Sequence, residues 1–146
     1  MTDLITVTTN PPDLARRFAA YPEKLQQEME RTTEQALHHV VGSVPEYPAQ
    51  MPTAYRRTGT LGRSVGIGRP PDVFAVRRIG QGYKGVMGSN LSYAPYVIGT
   101  RTQSAVMRAK NWWTMRTAAE RAAPGVIRLF EKMSERLAKW IAGRAL

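Results

Sequence analysis

The sequence predicts an α+β fold in which a long N-terminal helix and a C-terminal helix pack on a small antiparallel β-sheet. Apolar residues follow the helical period from about residue 22 to 42, and again in the C-terminal part after Pro124. Between them, residues 61–87 hold short β-branched runs that glycines and prolines separate. Strands grouped between two terminal helices, without the strand and helix alternation of a parallel sheet, indicate the α+β class.

The N-terminal residues predict one strand followed by a break. Residues 4–8, LITVT, are rich in β-branched side chains and stop at the Asn-Pro-Pro of residues 10–12, which indicates a short strand or an extended arm. Residues 13–21 have the pattern of a short helical turn. Pro22 would disrupt the interior of that helix but suits the first turn of a new one, so the chain should bend near Tyr21.

A long amphipathic helix is predicted from about residue 22 to 42, and Gly42 and Pro45 should end it. The residues after it, 44–57, contain three prolines and predict an extended, irregular connection. The apolar residues of the helix recur around one face, which indicates that this face is buried. The predicted buried stripe contains Leu25, Met29, Ala36, Leu37, Val40 and Val41.

An antiparallel hairpin or meander is predicted from the runs SVGIG, VFAVRRI and YKGVMG between residues 61 and 87. Residues 89–98 should add a further loop or strand, and a basic loop is expected over residues 101–110. The last helix is predicted to begin at Pro124, because proline suits a first helical turn. Its buried stripe should contain Val126, Ile127, Phe130, Leu137, Trp140 and Ile141.

Size and composition restrict the class of protein. A chain of 146 residues suits a single domain over residues 1–146. Lys and Arg outnumber Asp and Glu by 21 to 11, and the net charge of +10 favours a polyanionic partner over a basic surface without one. The chain has no cysteine, no secretion signal and no apolar run long enough for a membrane helix. We expect a protein made in a cytoplasm, without disulfides and without a membrane partner.

The residues that carry chemistry do not form a catalytic, cofactor or metal site. The only histidines, His38 and His39, are adjacent, so on a helix they would point about 100° apart and could not share a metal ion. Residues 80–85 read G-x-G-x-x-G, but Pro95 follows where a dinucleotide site needs a helix, which favours a hairpin turn. Most acids lie on the predicted helices among basic residues, where ion pairing is the ordinary outcome. We expect neither an enzyme nor a cofactor.

The adjacent Trp112 and Trp113 allow two interpretations. Flanking basic residues, Arg108, Lys110 and Arg116, would suit tryptophans that stack on nucleic-acid bases. Adjacent tryptophans at the start of a helix more often fill a core or a subunit interface, and we favour that interpretation.

Two short segments carry a resemblance to a known family. Residues 56–65 read RRTGTLGRSV, and residues 86–100 contain VMGSN, YAPYV and GT in that order. This arrangement resembles the tail-completion, or head-to-tail neck, proteins of long-tailed bacteriophages and prophages, with their R-T-G-x-L-x-x-S and Y-A-x-Y-V-E-x-G-T segments. The order and spacing match over roughly residues 20–100. Ile98 stands where that family commonly has an acidic residue, and its R-P-F-L segment is missing.

The resemblance implies a structural virion protein without enzymatic activity. It implies a ring, with six copies expected, that lies at the neck between capsid vertex and tail, surrounds the DNA channel and is made in the bacterial host cytoplasm. The implied neighbours are connector or stopper, tail terminator and tail tube proteins. The expected contacts with non-specifically bound genomic DNA are Arg101, Arg108 and Lys110. The expected subunit-interface residues are Arg57, Thr58, Gly59, Leu61, Tyr93, Tyr96, Trp112 and Trp113.

The neutral segment of residues 88–100 supports a contact role on physical grounds. It has no charged residue, its glycines permit sharp turns, and Tyr93 and Tyr96 offer large contact areas with little side-chain entropy to lose. Tyrosine also serves in cores, so the sequence leaves open whether these two rings lie in the interface or inside the subunit.

A stand-alone, basic nucleic-acid-binding protein is the alternative function. The net charge of +10 and the Trp112 and Trp113 pair favour it.

Overall fold

Two long helices lie across one face of a three-stranded antiparallel sheet. The computed structural model describes residues 4–9, 21–48 and 57–143. The predicted break over residues 10–20 and most of the proline-rich connection, residues 49–56, lie outside the described residues. In chain order the elements are β1 (Leu4–Thr9), α1 (Pro22–Gly42), α2 (Thr60–Ser64), β2 (Val73–Ile79), β3 (Gly82–Gly88), α3 (Ala94–Ile98), α4 (Ala105–Ala109) and α5 (Met115–Ala142).

The sheet has the strand order β1-β3-β2, so the last strand in the chain is the central one. Met87 of β3 lies opposite Ile5 of β1 on one side and Phe74 of β2 on the other. A two-residue turn joins β2 to β3, and Gly80 adopts a φ of 57° there, a value that favours glycine. The G-x-G-x-x-G sequence therefore forms a hairpin turn and the strand after it, as its context predicts.

Helix α1 confirms the predicted bounds, with Pro22 in its first turn. The predicted stripe is buried except for Val41, which is half-buried. Thr32 and Thr33 are buried as well, although polar residues do not by themselves predict a buried helix face. The helix packs closely on the sheet because Gly85 of the central strand has no side chain: a methyl group there would lie 3.3 Å from Thr33 Cγ2.

Helix α5 begins at Met115 and runs through Pro124, so the predicted start at Pro124 is wrong. Thr114 and Thr117 form a reciprocal capping box, which satisfies backbone N–H groups at the true start. Proline removes one backbone hydrogen bond inside the helix, but tertiary packing on both sides of it keeps the helix continuous. The residues buried along it are Met115, Ala118, Ala122, Gly125, Met133 and Leu137.

Three further expectations need correction. Ile127 was expected in the buried stripe of the last helix, but it is 57 % exposed because the stripe follows the small residues on a neighbouring face. The SVGIG run forms no strand, since Gly66 and Gly68 adopt φ values of 107° and 76°, which turn the chain. Residues 89–98, expected as a loop or strand, contain the short helix α3, and the expected basic loop over residues 101–110 contains the short helix α4.

The core consists of two clusters between the sheet and the helices. The larger one surrounds Leu37 and Met87 and takes in residues from both motif segments. The smaller one joins Leu25, Met29 and Tyr83 to the C-terminal half of α5. The architecture, helices on an antiparallel sheet, confirms the α+β class.

An ion-pair cluster joins the two long helices at the edge of the smaller cluster. Glu28 of α1 lies 3.1 Å from Lys24 Nζ and 3.2 Å from Arg136 of α5. Burial raises the pKa of Glu28, but the hydrogen bonds and positive charges of Lys24 and Arg136 outweigh it, so the pKa lies below its ordinary value.

We expect the Glu28→Gln substitution to lower the free energy of unfolding by about 1–2 kcal/mol near pH 7. A carboxyl whose pKa is lower in the folded state stabilises the fold above its ordinary value of 4.5, and the contribution disappears as the pH falls through the lowered pKa. Urea unfolding at several pH values should show the two proteins converging in acid. A difference that is independent of pH would contradict this role of the carboxylate.

Candidate functional site

The first motif segment forms the short helix α2 and the turn before it. Gly59 precedes the helix with a φ of 72°, and its carbonyl oxygen accepts a hydrogen bond from the backbone of Arg63 at 3.1 Å. The hydroxyls of Thr58 and Thr60 lie 2.9 Å apart beside this turn. Leu61 is 6 % exposed and belongs to the larger core cluster, so little of its surface is available to another subunit.

A buried hydrogen-bond junction connects the first motif segment to the second. Ser64 Oγ donates to the carbonyl oxygen of Leu61 at 2.6 Å and lies 2.7 Å from Ser89 Oγ. Because the single hydroxyl hydrogen of Ser64 is used on Leu61, Ser89 is the donor between the two serines. Asp72 extends the junction. Its backbone N–H donates to the backbone carbonyl oxygen of Ser64, and its carboxylate accepts a hydrogen bond from the backbone N–H of Asn90.

We expect Ser64→Ala to lower the free energy of unfolding by about 1–3 kcal/mol, because the substitution leaves the buried Ser89 hydroxyl without its acceptor. In the Ser64→Ala protein, a further Ser89→Ala substitution should lower the free energy of unfolding by less than the same substitution does in the unsubstituted protein, because the two serines belong to one hydrogen-bond network. Ser92→Ala, at an exposed position of the same segment, is the matched control for urea unfolding. Equal losses for Ser64→Ala and Ser92→Ala would contradict the role of the junction.

An aromatic and arginine clamp joins the first segment to residues 47 and 48. The Arg57 guanidinium lies 5.7 Å from the Tyr47 ring and 5.2 Å from the Trp112 ring, and it donates a hydrogen bond to the carbonyl oxygen of Pro48. The Tyr47 hydroxyl accepts a hydrogen bond from the backbone of Gly62. Arg57, which the sequence suggested as an interface residue, therefore makes contacts within its own subunit.

The two tryptophans differ in their surroundings. Trp112 is half-buried, and its ring centroid lies 5.0 Å from that of Tyr47. Trp113 is 6 % exposed in the larger cluster, and its indole nitrogen has no hydrogen-bond partner among the described residues. Trp113 is therefore too buried to stack on a nucleic-acid base.

The second segment places two tyrosines on the surface. Ala94 and Ile98 of α3 point into the core, whereas Tyr93 and Tyr96 are 44 % and 63 % exposed. Val106 of α4 is 59 % exposed as well, and the start of α4 is tied to α3 because the backbone N–H of Ser104 donates to the carbonyl oxygen of Tyr96 at 2.8 Å. We call Tyr93, Tyr96 and Val106 the aromatic knob.

Hydrogen bonds hold the aromatic knob in place. The side-chain amide of Gln103 donates to the carbonyl oxygens of Val97 and Trp112, both at 2.9 Å. Thr102 Oγ1 donates to the carbonyl oxygen of Pro95 at 2.7 Å, and Ser104 Oγ caps the first turn of α4. The region expected as a basic loop is thus tied to the second motif segment at several points.

The three predicted DNA-contacting cations lie in the chain segment that contains Val106. Arg101, Arg108 and Lys110 are exposed on α4 and the loops at its two ends. None of the three forms an ion pair with another described residue. Their charges are therefore available to an anionic partner.

The described residues offer no arrangement typical of a catalytic or metal centre. His38 packs on Phe74 at 4.6 Å between ring centroids, and the ring of His39 on α1 lies against Gly125 of α5. Within residues 4–9, 21–48 and 57–143, no three His, Cys, Asp or Glu side chains converge, and no helix has the length and apolar character needed to cross a membrane.

Comparison with known protein families, characterised proteins and solved structures finds no match to this chain. The choice of a function therefore depends on its own residues and their geometry.

Proposed function

We propose that this chain is a structural virion protein, a subunit of a six-membered ring that joins the capsid vertex to the tail of a bacteriophage or phage-derived particle. The observation that carries the proposal is the junction of Ser64 and Ser89. It packs together the two segments that resemble neck proteins, and the aromatic knob follows directly in the chain.

The physical character of these segments supports a contact role. Their polar groups are mostly hydroxyls and backbone amides that pair within the subunit, and Tyr93 and Tyr96 expose large rings on a well-tied support. Rigid aromatic surface without titratable groups suits protein association, because little side-chain entropy is lost on binding. In the proposed location the neighbours are connector or stopper, tail terminator and tail tube proteins, and the chain is made in the host cytoplasm.

Non-specific DNA contact is the second part of the proposal. A ring around the DNA channel must tolerate every sequence that passes, and contacts to phosphate rather than to base edges do so. Arg101, Arg108 and Lys110 would provide such contacts beside the ring interface.

Deletion of the gene in the bacterium that carries it tests the proposed function. We expect filled heads and complete tails that do not join, with joining restored by the unsubstituted gene. Electron microscopy of particles containing a tagged copy should place the tag at the neck. Normal joined particles from the deletion strain would overturn the proposal.

Replacement of both Tyr93 and Tyr96 by alanine should weaken each subunit contact by about 2–4 kcal/mol and leave the fold unchanged. Both rings are at least 44 % exposed, so the substitution removes less buried surface from the subunit than the loss of two core rings would. Circular dichroism melting and complementation of the deletion strain are the measurements. A large fall in melting temperature would mean that the rings serve the fold instead.

The alternative, a stand-alone nucleic-acid-binding protein, draws support from the cations around the aromatic knob. Exposed tyrosines beside Arg101, Arg108 and Lys110 could stack on bases while the cations bind phosphates. Monomer binding to single-stranded DNA that weakens steeply with salt would favour it. Changing the three cations to glutamine should then abolish binding, whereas the same change at Arg121, Arg128 and Lys132, exposed on α5, is the matched control.

A further inference from the structure

An apolar groove of about 620 Å³ runs between the edge strand β1 and helix α5. Among the described strands β1 pairs only with β3, and residues 5–8 of β1 line the groove. The apolar lining comes from Ile5, Val7, Val40, Val126, Ile127 and Phe130. The groove has the size of a site for one or two large side chains.

One charge lies at this otherwise neutral groove. Glu131 is exposed at the lining and has no ion-pair partner among residues 4–9, 21–48 and 57–143. Ile127, 57 % exposed at the same groove, is one of the most exposed large apolar side chains that the structure describes. The occupant that fits is a protruding apolar or aromatic group with a positive charge beside it.

The aromatic knob has this chemistry. Tyr96 is the most exposed large hydrophobic residue in the described part of the chain, and the exposed cations Arg101, Arg108 and Lys110 follow it in sequence. None of the three knob residues is among the residues that line the groove. Knob and groove are therefore separate features of one subunit.

We infer that the knob of one subunit binds in the groove of the next copy, with Tyr96 between β1 and α5 and a knob cation near Glu131. This inference rests on the ring of the proposed function. Two different complementary surfaces on one molecule give a head-to-tail contact, which is the type of contact that closes into a ring. A buried tyrosine ring covers about 150–250 Å² and would supply an aromatic anchor at the centre of the contact.

Cross-linking in assembled particles tests the contact, and the natural chain is suited to it because it contains no cysteine. A tagged Ser92→Cys chain, which keeps Tyr93 and Tyr96, and an untagged Ile127→Cys chain are produced together in the deletion strain, and purified particles are treated with a short bis-maleimide. Only contacts between copies can join the two chains. The control pair is Ser92→Cys with Ile79→Cys, because Ile79 is similarly exposed, at 55 %, but lies at the end of β2.

We expect the Ser92 and Ile127 pair to give about tenfold more joined dimer than the control pair, since a docked knob raises the local concentration of the two thiols. Particles that contain both chains but give no excess of dimer would overturn the groove contact and leave the ring in place. If the thiol at position 127 is protected from reaction with maleimide but forms no dimer, another protein occupies the groove, and this result also overturns the proposed contact. Absence of the chains from particles would refute both the ring and the contact.

Discussion

Replacement of Leu37 by alanine is expected to lower the free energy of unfolding by about 3–5 kcal/mol, a large part of the roughly 5–15 kcal/mol typical of a domain. Leu37 is completely buried between α1 and the sheet, in the larger core cluster. Removal of the leucine side chain leaves a cavity, and the helix and the sheet could close it only by giving up contacts that they make elsewhere. Urea unfolding followed by circular dichroism measures the effect.

The position of Gly85 provides an internal check on this cavity. A methyl group on Gly85 would lie 3.4 Å from Leu37 Cδ2, so Gly85→Ala should restore part of the stability that Leu37→Ala removes. Ile79→Ala, at an exposed position of β2, is the matched control and should change the free energy of unfolding by less than about 0.5 kcal/mol. A loss for Leu37→Ala as small as that of the control would show that α1 does not pack on the sheet here.

The Gly99→Ala substitution is the second change with a large expected effect, about 3 kcal/mol, combined with loss of particle assembly. Gly99 has an ordinary φ of −66°, so its backbone angle does not require glycine. A methyl group there would instead overlap the Pro95 carbonyl oxygen and the Thr102 hydroxyl. Because the carbonyl belongs to the backbone of α3, relief of the overlap must displace the support of the aromatic knob.

Gly42→Ala is the matched control for that experiment, since no atom lies within 4 Å of a methyl group placed at Gly42. We expect it to be neutral or slightly stabilising, because alanine has the higher helix propensity. Thermal melting reports the stability, and complementation of the deletion strain reports assembly. A Gly99→Ala protein with normal stability and normal assembly would contradict the role of the close approach.

The parts of the fold that could be predicted have strong local signals. Helix α1 has an apolar period over twenty-one residues with Pro22 at its start, and the β2 and β3 hairpin has a glycine at its tight turn. The parts that could not be predicted depend on distant contacts. Helices α3 and α4 have five residues each, too few to be stable alone, and hydrogen bonds from Gln103 and Thr102 hold them in the fold.

Helix α5 shows why one strong local signal can mislead. Proline is common at helix starts, but the Thr114 and Thr117 capping box was the true signal. Large apolar residues such as Ile127 also predict a buried stripe, but the buried face of the first half of α5 is formed by the small residues Ala118, Ala122 and Gly125.

The candidate site was only partly accessible from the sequence. The segment of residues 88–100 is neutral and turn-rich, which indicates contact rather than catalysis, but tyrosine serves both in cores and at interfaces. Only the structure separates exposed Tyr96 from buried Trp113 and Leu61. The clamp of Arg57 between two aromatic rings depends on residues far apart in the chain, so no local pattern could indicate it.

The strand order has a consequence for synthesis in the cell. Strand β1 is made first, but its only partner, β3, ends at Gly88. At about 5–20 residues per second, translation leaves β1 unpaired for roughly 4–16 s after it is made. The run LITVTT carries no charge that would discourage pairing with a neighbouring nascent chain. Ribosomes spaced closely on one messenger would present such strands to each other, so slower initiation should improve the yield of correctly folded subunit.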